Sequence, residues 1–144
     1  MRPDRVVVGE GRGAGTLDML QAMNTGHEGS LTTIHANSPR DALARLETLV
    51  LTGGVELPHR AIREQIASAF DVLVQIERLV DGTRRVSAIS EVAGMESDVV
   101  PLQDLFVASA PTEEEAGRAK RLLTPLRATG LKPHFLEKLA AHNV

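Results

Sequence analysis

The chain has 144 residues, which fits one domain or one domain with a short appendage, and is long enough to bury a substantial core. Sixteen Lys and Arg against nineteen Asp and Glu leave a net charge of −3, which argues against the basic stripe of a nucleic-acid binder. The lack of cysteine excludes disulfide and thiolate chemistry, and no apolar run approaches the ~20 residues that span a bilayer.

Arg5 to Gly9 holds Val6-Val7-Val8, a β-branched run without alternation, as in a parallel strand covered on both faces. Glu10 ends it and Gly11-Arg12-Gly13 breaks it. From Thr16 to Met23, the spacing of Leu17, Leu20 and Met23 predicts a helix, stopped by Asn24-Thr25-Gly26. Ser30 to Ala36 reads as a second strand. In Asn37-Ser38-Pro39, Ser38 suits the cap and Pro39 the first turn of a helix. Asp41 follows where the helix dipole favours an acid, and Leu43, Leu46, Leu49 and Val50 line one face. Thr52-Gly53-Gly54 ends that helix, and Pro58 opens another with Ile62, Ile66 and Ala69 on one face.

Past Phe70 the period changes from helical to alternating. Val72, Val74 and Ile76 alternate, Asp81-Gly82 makes a turn, and Val86, Ala88 and Ile89 follow: an antiparallel hairpin. Ala93-Gly94 and Glu96-Ser97-Asp98 read as turns, and Val99 to Val107 as a strand or short helix. Residues 108–121, with Glu113-Glu114-Glu115, read as a linker, and 122–144 as a tail with a helix from Pro133. Phe135, Leu136, Leu139 and Ala140 give that helix an apolar face. The start, Met1-Arg2-Pro3-Asp4, lacks the apolar stretch of a signal peptide, so a cytoplasmic protein is expected.

Two places gather chemistry. Glu10 stands just past a predicted parallel strand, the end at which ligands sit in open α/β sheets. A carboxylate there can orient a water or reach a magnesium ion, or simply enter a solvated loop. Thr33, His35 and Asn37 share one face of the second strand by period-two alternation. His35 can donate a hydrogen bond to a terminal phosphate, or be a core histidine satisfied by a backbone carbonyl. Arg12 lies two residues past Glu10, so of Arg12, Arg40, Arg45, Arg60 and Arg63 it is the one singled out for phosphate; the others read as solvated or salt-bridged. His27-Glu28 is not completed to a His-Glu-x-x-His pair, and Ser30 and Ser38 lie outside any Gly-x-Ser-x-Gly elbow, so neither zinc nor a serine nucleophile is expected.

Taken together, these strings carry a resemblance. Arg2-Pro3-Asp4-Arg5-Val6-Val7-Val8-Gly9-Glu10, followed by Arg12-Gly13, resembles the Walker B region of the type II/IV secretion ATPases. Leu17 to His27 and Gly29 to Ser38 resemble their histidine box and the helix before it. Arg45-Leu46-Glu47, Ala61 to Ala69 and the tail Ala128 to Pro133 with Phe135 are similar to the CpaF/TadA branch, which serves pilus assembly. The resemblance implies an α/β fold: part of a RecA-like P-loop ATPase domain over residues 1–107, with the hairpin, linker and helical tail appended. It implies ATP and magnesium as cofactors, with Glu10 and His35 catalytic, Glu10 also in the outer magnesium shell, and Arg12 and Thr33 supporting the nucleotide. It implies a homo-hexamer working with secretion or pilus platform proteins, cytoplasmic and peripheral to the bacterial inner membrane, with no transmembrane segment and no nucleic acid.

Two departures stand beside it. No Gly-x-x-x-x-Gly-Lys-Ser/Thr loop occurs, so most phosphate contacts are missing and this chain alone is expected to bind ATP weakly or not at all. Gly11 occupies a position where the family suggests an apolar residue. The leading expectation is therefore the carboxy-terminal portion of a secretion ATPase. The alternatives are a non-catalytic module docking on a full-length hexameric ring, and a different nucleotide switch using only Glu10 and His35.

Overall fold

The computed structural model of the chain describes residues 5–11, 13, 15–26, 29–54, 56–79, 82–109 and 125–141. The elements are β1 (Val7–Val8), α1 (Gly15–Asn24), β2 (Leu31–Thr32), α2 (Pro39–Thr52), α3 (His59–Ala69), β3 (Val72–Arg78), β4 (Arg84–Val92), β5 (Leu102–Ala108), β6 (Leu126–Ala128) and α4 (Leu136–Ala141). This is a mixed α/β chain, and it divides into two compact units.

The first unit comprises Met1–Asp71 and Val92–Pro101. Its three helices pack on one another, and its core is aliphatic: Met19 and Leu20 from α1, Ala42, Leu43, Leu46 and Val50 from α2, Ile62 and Ile66 from α3, with Val92 and Val100. The buried positions of α2 and α3 recur at the three- and four-residue spacing of one helical face. Helix α2 starts as its sequence requires, with the Ser38 hydroxyl accepting from the Asp41 N–H at 3.1 Å and Pro39 in the first turn. In α1 the buried face is Thr16, Met19 and Leu20, where the spacing had pointed to Leu17, Leu20 and Met23. The helix is turned toward the loop after β1: a Cβ added at Gly11 would lie 3.6–3.7 Å from Met19 and Thr16 side-chain atoms.

Strands β1 and β2 pair in parallel, Val7 with Leu31 and Val8 with Thr32. The strand expected over Ser30–Ala36 is thus cut to two residues. Past Thr32 the ladder gives way to a side chain, because the Thr33 hydroxyl donates to the Gly9 carbonyl. Val92–Pro101 contributes a tight turn in which Glu96 and Val99 bridge, with Ser97 at φ 55, the left-handed region. Two arginines of α3 reach it. Arg63 Nη1 donates to the Asp98 carbonyl at 2.7 Å, and Arg60 lies 3.6 Å from the Asp98 carboxylate.

The second unit comprises Val72–Glu91 and Leu102–Val144 and carries a four-stranded sheet in the order β3-β4-β5-β6. The expected hairpin is there, β3 against β4 antiparallel, with a bulge that leaves Ser87 without an opposite residue. Asp81 of its turn lies outside the described residues, while Gly82 takes a φ of 82. Of the two options for Val99–Val107, the strand is realised, as β5. In the tail, Leu126–Ala128 is a strand that sequence reasoning did not contain, paired antiparallel with β5 through Phe106 and Ala128. The terminal helix begins at Leu136, and its Leu136 and Leu139 remain exposed, so the apolar face expected there is not buried. Residues 110–121, with Glu113 to Glu115, lie outside the described residues.

A buried acid holds the tail. Glu91 is 2% exposed; its Oε1 accepts from the Phe135 N–H at 3.0 Å and its Oε2 lies 3.0 Å from His134 Nδ1. Gln103 donates to the Lys132 carbonyl, and the Thr129 hydroxyl to that of Asp104.

Candidate functional site

The parallel pairing of β1 and β2 sends both chains out at the same edge, so whatever follows each strand converges there. After β1 come Gly9 and Glu10; after β2 come Thr33, Ile34 and His35. The Thr33 hydroxyl on the Gly9 carbonyl ties the two exits together at this point. Exposure alternates along Thr33 to Asn37, so Thr33, His35 and Asn37 face outward together. Glu10 Oε1 and His35 Nε2 stand 3.5 Å apart, with 28% of the Glu10 and 84% of the His35 side chain exposed.

Three of the four residues singled out from sequence, Glu10, Thr33 and His35, are thus brought together. Arg12 lies outside the described residues. Arg60 and Arg63, read from sequence as solvated or salt-bridged, are salt-bridged. Arg60 pairs with Glu64 at 3.0 Å, and Arg63 with Glu47 at 2.8 Å. The hydrogen bond that each guanidinium donates to its carboxylate is the main cause that raises its pKa above the ordinary value. Among the described residues, no group of three or more His, Asp or Glu side chains is arranged to hold a metal ion.

The arrangement can hold a water or hydroxyl against Glu10 while the His35 ring presents a donor to an oxygen beside it. A carboxylate beside an imidazole at a strand-end edge is a setting for acid–base work on a polar, phosphate-like group.

Comparison with known proteins bears on this geometry. Residues 1–120 match the family model described as type II/IV secretion system protein. Over 90 residues the chain is 48% identical to a putative conjugal transfer protein of Mycobacterium tuberculosis, covering 62% of this chain and 25% of that protein. Over 94 residues it is 44% identical to the conjugal transfer protein TrbB of Rhizobium radiobacter, covering 65% and 28%. Among solved structures, it is similar to the VirB11 ATPase of the Brucella suis type IV secretion system in complex with sulphate. There the TM-score is 0.58 at 34% identity, over 63% of this chain and 28% of that one. The chain spans about a quarter of the length of the curated relatives it matches.

Proposed function

Because the chain belongs to the type II/IV secretion system protein family, we propose that it is the portion of a secretion ATPase that carries the catalytic carboxylate and the phosphate-facing histidine. The whole enzyme, in this reading, is a RecA-like homo-hexamer at the cytoplasmic face of the bacterial inner membrane. It hydrolyses ATP to drive export or pilus assembly with membrane platform proteins, the CpaF/TadA branch being the favoured assignment. One observation carries the reading: Glu10 and His35 lie 3.5 Å apart, past the ends of two paired parallel strands.

That geometry supports the following roles. Glu10 orients the attacking water and takes its proton as the oxygen–phosphorus bond forms, while the bond from the terminal phosphorus to the bridging oxygen breaks and ADP leaves with that electron pair. His35 donates to an oxygen of the terminal phosphate, and Thr33 holds the loop that carries Glu10 through the Gly9 carbonyl. Magnesium, when bound, neutralises phosphate charge. No group of three or more potential ligands gathers among the described residues, which supports an outer-shell place for Glu10, reaching the ion through water. Arg12 completes the proposal as a phosphate-facing cation.

The test is phosphate release from ATP by a whole ATPase that carries this portion together with a phosphate-binding loop, compared between the parent and Glu10→Gln, because this chain alone lacks that loop. Loss of a general base is expected to cost about 10²–10⁴-fold in turnover with little change in KM. Equal turnover in parent and variant would remove Glu10 from catalysis. It would favour the second reading, a non-catalytic assembly module docking on a full-length ring, which the lack of a Gly-x-x-x-x-Gly-Lys-Ser/Thr loop in these 144 residues supports.

A further inference from the structure

Beside the Glu10–His35 pair lies an open hollow of about 610 Å³, lined by His35, Ala36, Asn37 and, from α2, Asp41, Ala44, Arg45 and Thr48. Its charged groups are unusual in one respect. Asp41 and Arg45 are one helical turn apart, in the acid-before-base order that favours pairing. Arg60 and Glu64, at the same spacing on α3, do pair. Yet no ion pair joins Asp41 to Arg45, and neither side chain, nor that of Asn37, has a hydrogen-bonding partner among the described residues. The hollow therefore presents a free guanidinium, a free amide, an imidazole and one free carboxylate to the same space.

That set has a definite chemical preference. Arg45, Asn37 and His35 supply donors to an oxyanion, the guanidinium in a two-pronged fork. Asp41 supplies only acceptors, so it repels an oxyanion without a proton and accepts from one that carries O–H. At neutral pH inorganic phosphate keeps at least one P–O–H, whereas sulphate keeps none. We propose that this hollow is a binding site for inorganic phosphate, selected over sulphate by Asp41 and held by Arg45. Under the proposed function, and resting on it for the source alone, the occupant is the phosphate released by ATP hydrolysis at the adjoining Glu10–His35 pair. His35 borders both places and would hand the product from one to the other.

The experiment titrates phosphate and sulphate separately into the full 144-residue chain at constant ionic strength. Amide and side-chain NMR signals of His35, Asn37, Arg45 and Thr48 report binding. Saturable phosphate shifts at these residues, with at least tenfold weaker sulphate binding, are expected. Arg45→Gln should weaken phosphate tenfold or more, and Arg45→Lys should restore part of the loss. Asp41→Asn should remove the preference by improving sulphate binding, a gain that a damaged fold cannot produce. Equal response to both anions, shifts confined to other residues, or an Arg45→Gln variant that binds phosphate as tightly as the parent would each overturn the proposal. The two readings fail separately. Turnover indifferent to Glu10 with phosphate selectivity intact would sink the ATPase reading and leave the site. Glu10-dependent turnover without selectivity would sink the site alone.

Discussion

Replacing Glu91 should release the tail without unfolding the rest. The side chain is 2% exposed and serves two partners, the Phe135 N–H and His134 Nδ1, each at 3.0 Å. A hydrogen bond from a backbone N–H to a buried carboxylate contributes about 1.5–3 kcal/mol. The His134 ring is 70% exposed, so water screens its share to about 0–1 kcal/mol. Removing the acid also relieves its own desolvation, which lowers the net effect. For Glu91→Ala the balance is about 2 kcal/mol, or roughly thirtyfold faster amide exchange at Phe135 through local opening. Glu91→Gln keeps an acceptor for Phe135 and should lose about half of that. Amide exchange read by NMR separates the outcomes: the Phe135 amide accelerates while those of Leu20 and Leu46, in the other unit, do not. Unchanged exchange at Phe135 in the alanine variant would refute the claim that Glu91 holds the tail.

Ser38→Ala removes the α2 cap on the Asp41 N–H and should cost about 1 kcal/mol in urea unfolding. Ile62→Ala empties a fully buried α3 position and should cost about 2–5 kcal/mol by the same measurement. Arg63→Ala should free the 96–99 turn, seen as faster exchange of the Glu96 and Val99 amides, whose mutual hydrogen bonds close it. The raised guanidinium pKa gives the sign of the pH effect. The Arg63–Glu47 contribution is complete below the guanidinium's ordinary range and is lost only as pH rises through a still higher value. Between pH 7 and 10 the turn should therefore respond to salt and not to pH.

Much of the fold was legible because its signals are local. Ser38-Pro39 with Leu43, Leu46, Leu49 and Val50 reads as one helix start and one face, and the structure buries all of that face but Leu49, which is half-buried. The alternation of Val72, Val74 and Ile76 yields β3 on the same grounds. Elements set by distant partners were not legible. Leu126-Arg127-Ala128 has no alternation of its own and is a strand because Phe106 to Ala108 lie beside it. Glu91 looks like any polar strand residue; its partners are 43 and 44 positions away. The site falls between. Glu10 and His35 each stood out as polar groups past an apolar run, but their separation depends on strand register, which neither segment specifies alone.

The ladder that brings Glu10 to His35 has two rungs, and its outer pair, Val7 and Leu31, is 74% and 66% exposed. So short a pairing cannot hold an angle by itself. On the Glu10 side the nearest support is α1, whose Met19 and Thr16 side chains stand against Gly11, the residue after Glu10. Under the proposed function, a genetic screen for loss of secretion should therefore not map to Glu10 and His35 alone. It should also return conservative alleles at Met19 and Thr16, in protein that accumulates normally, present and misaligned.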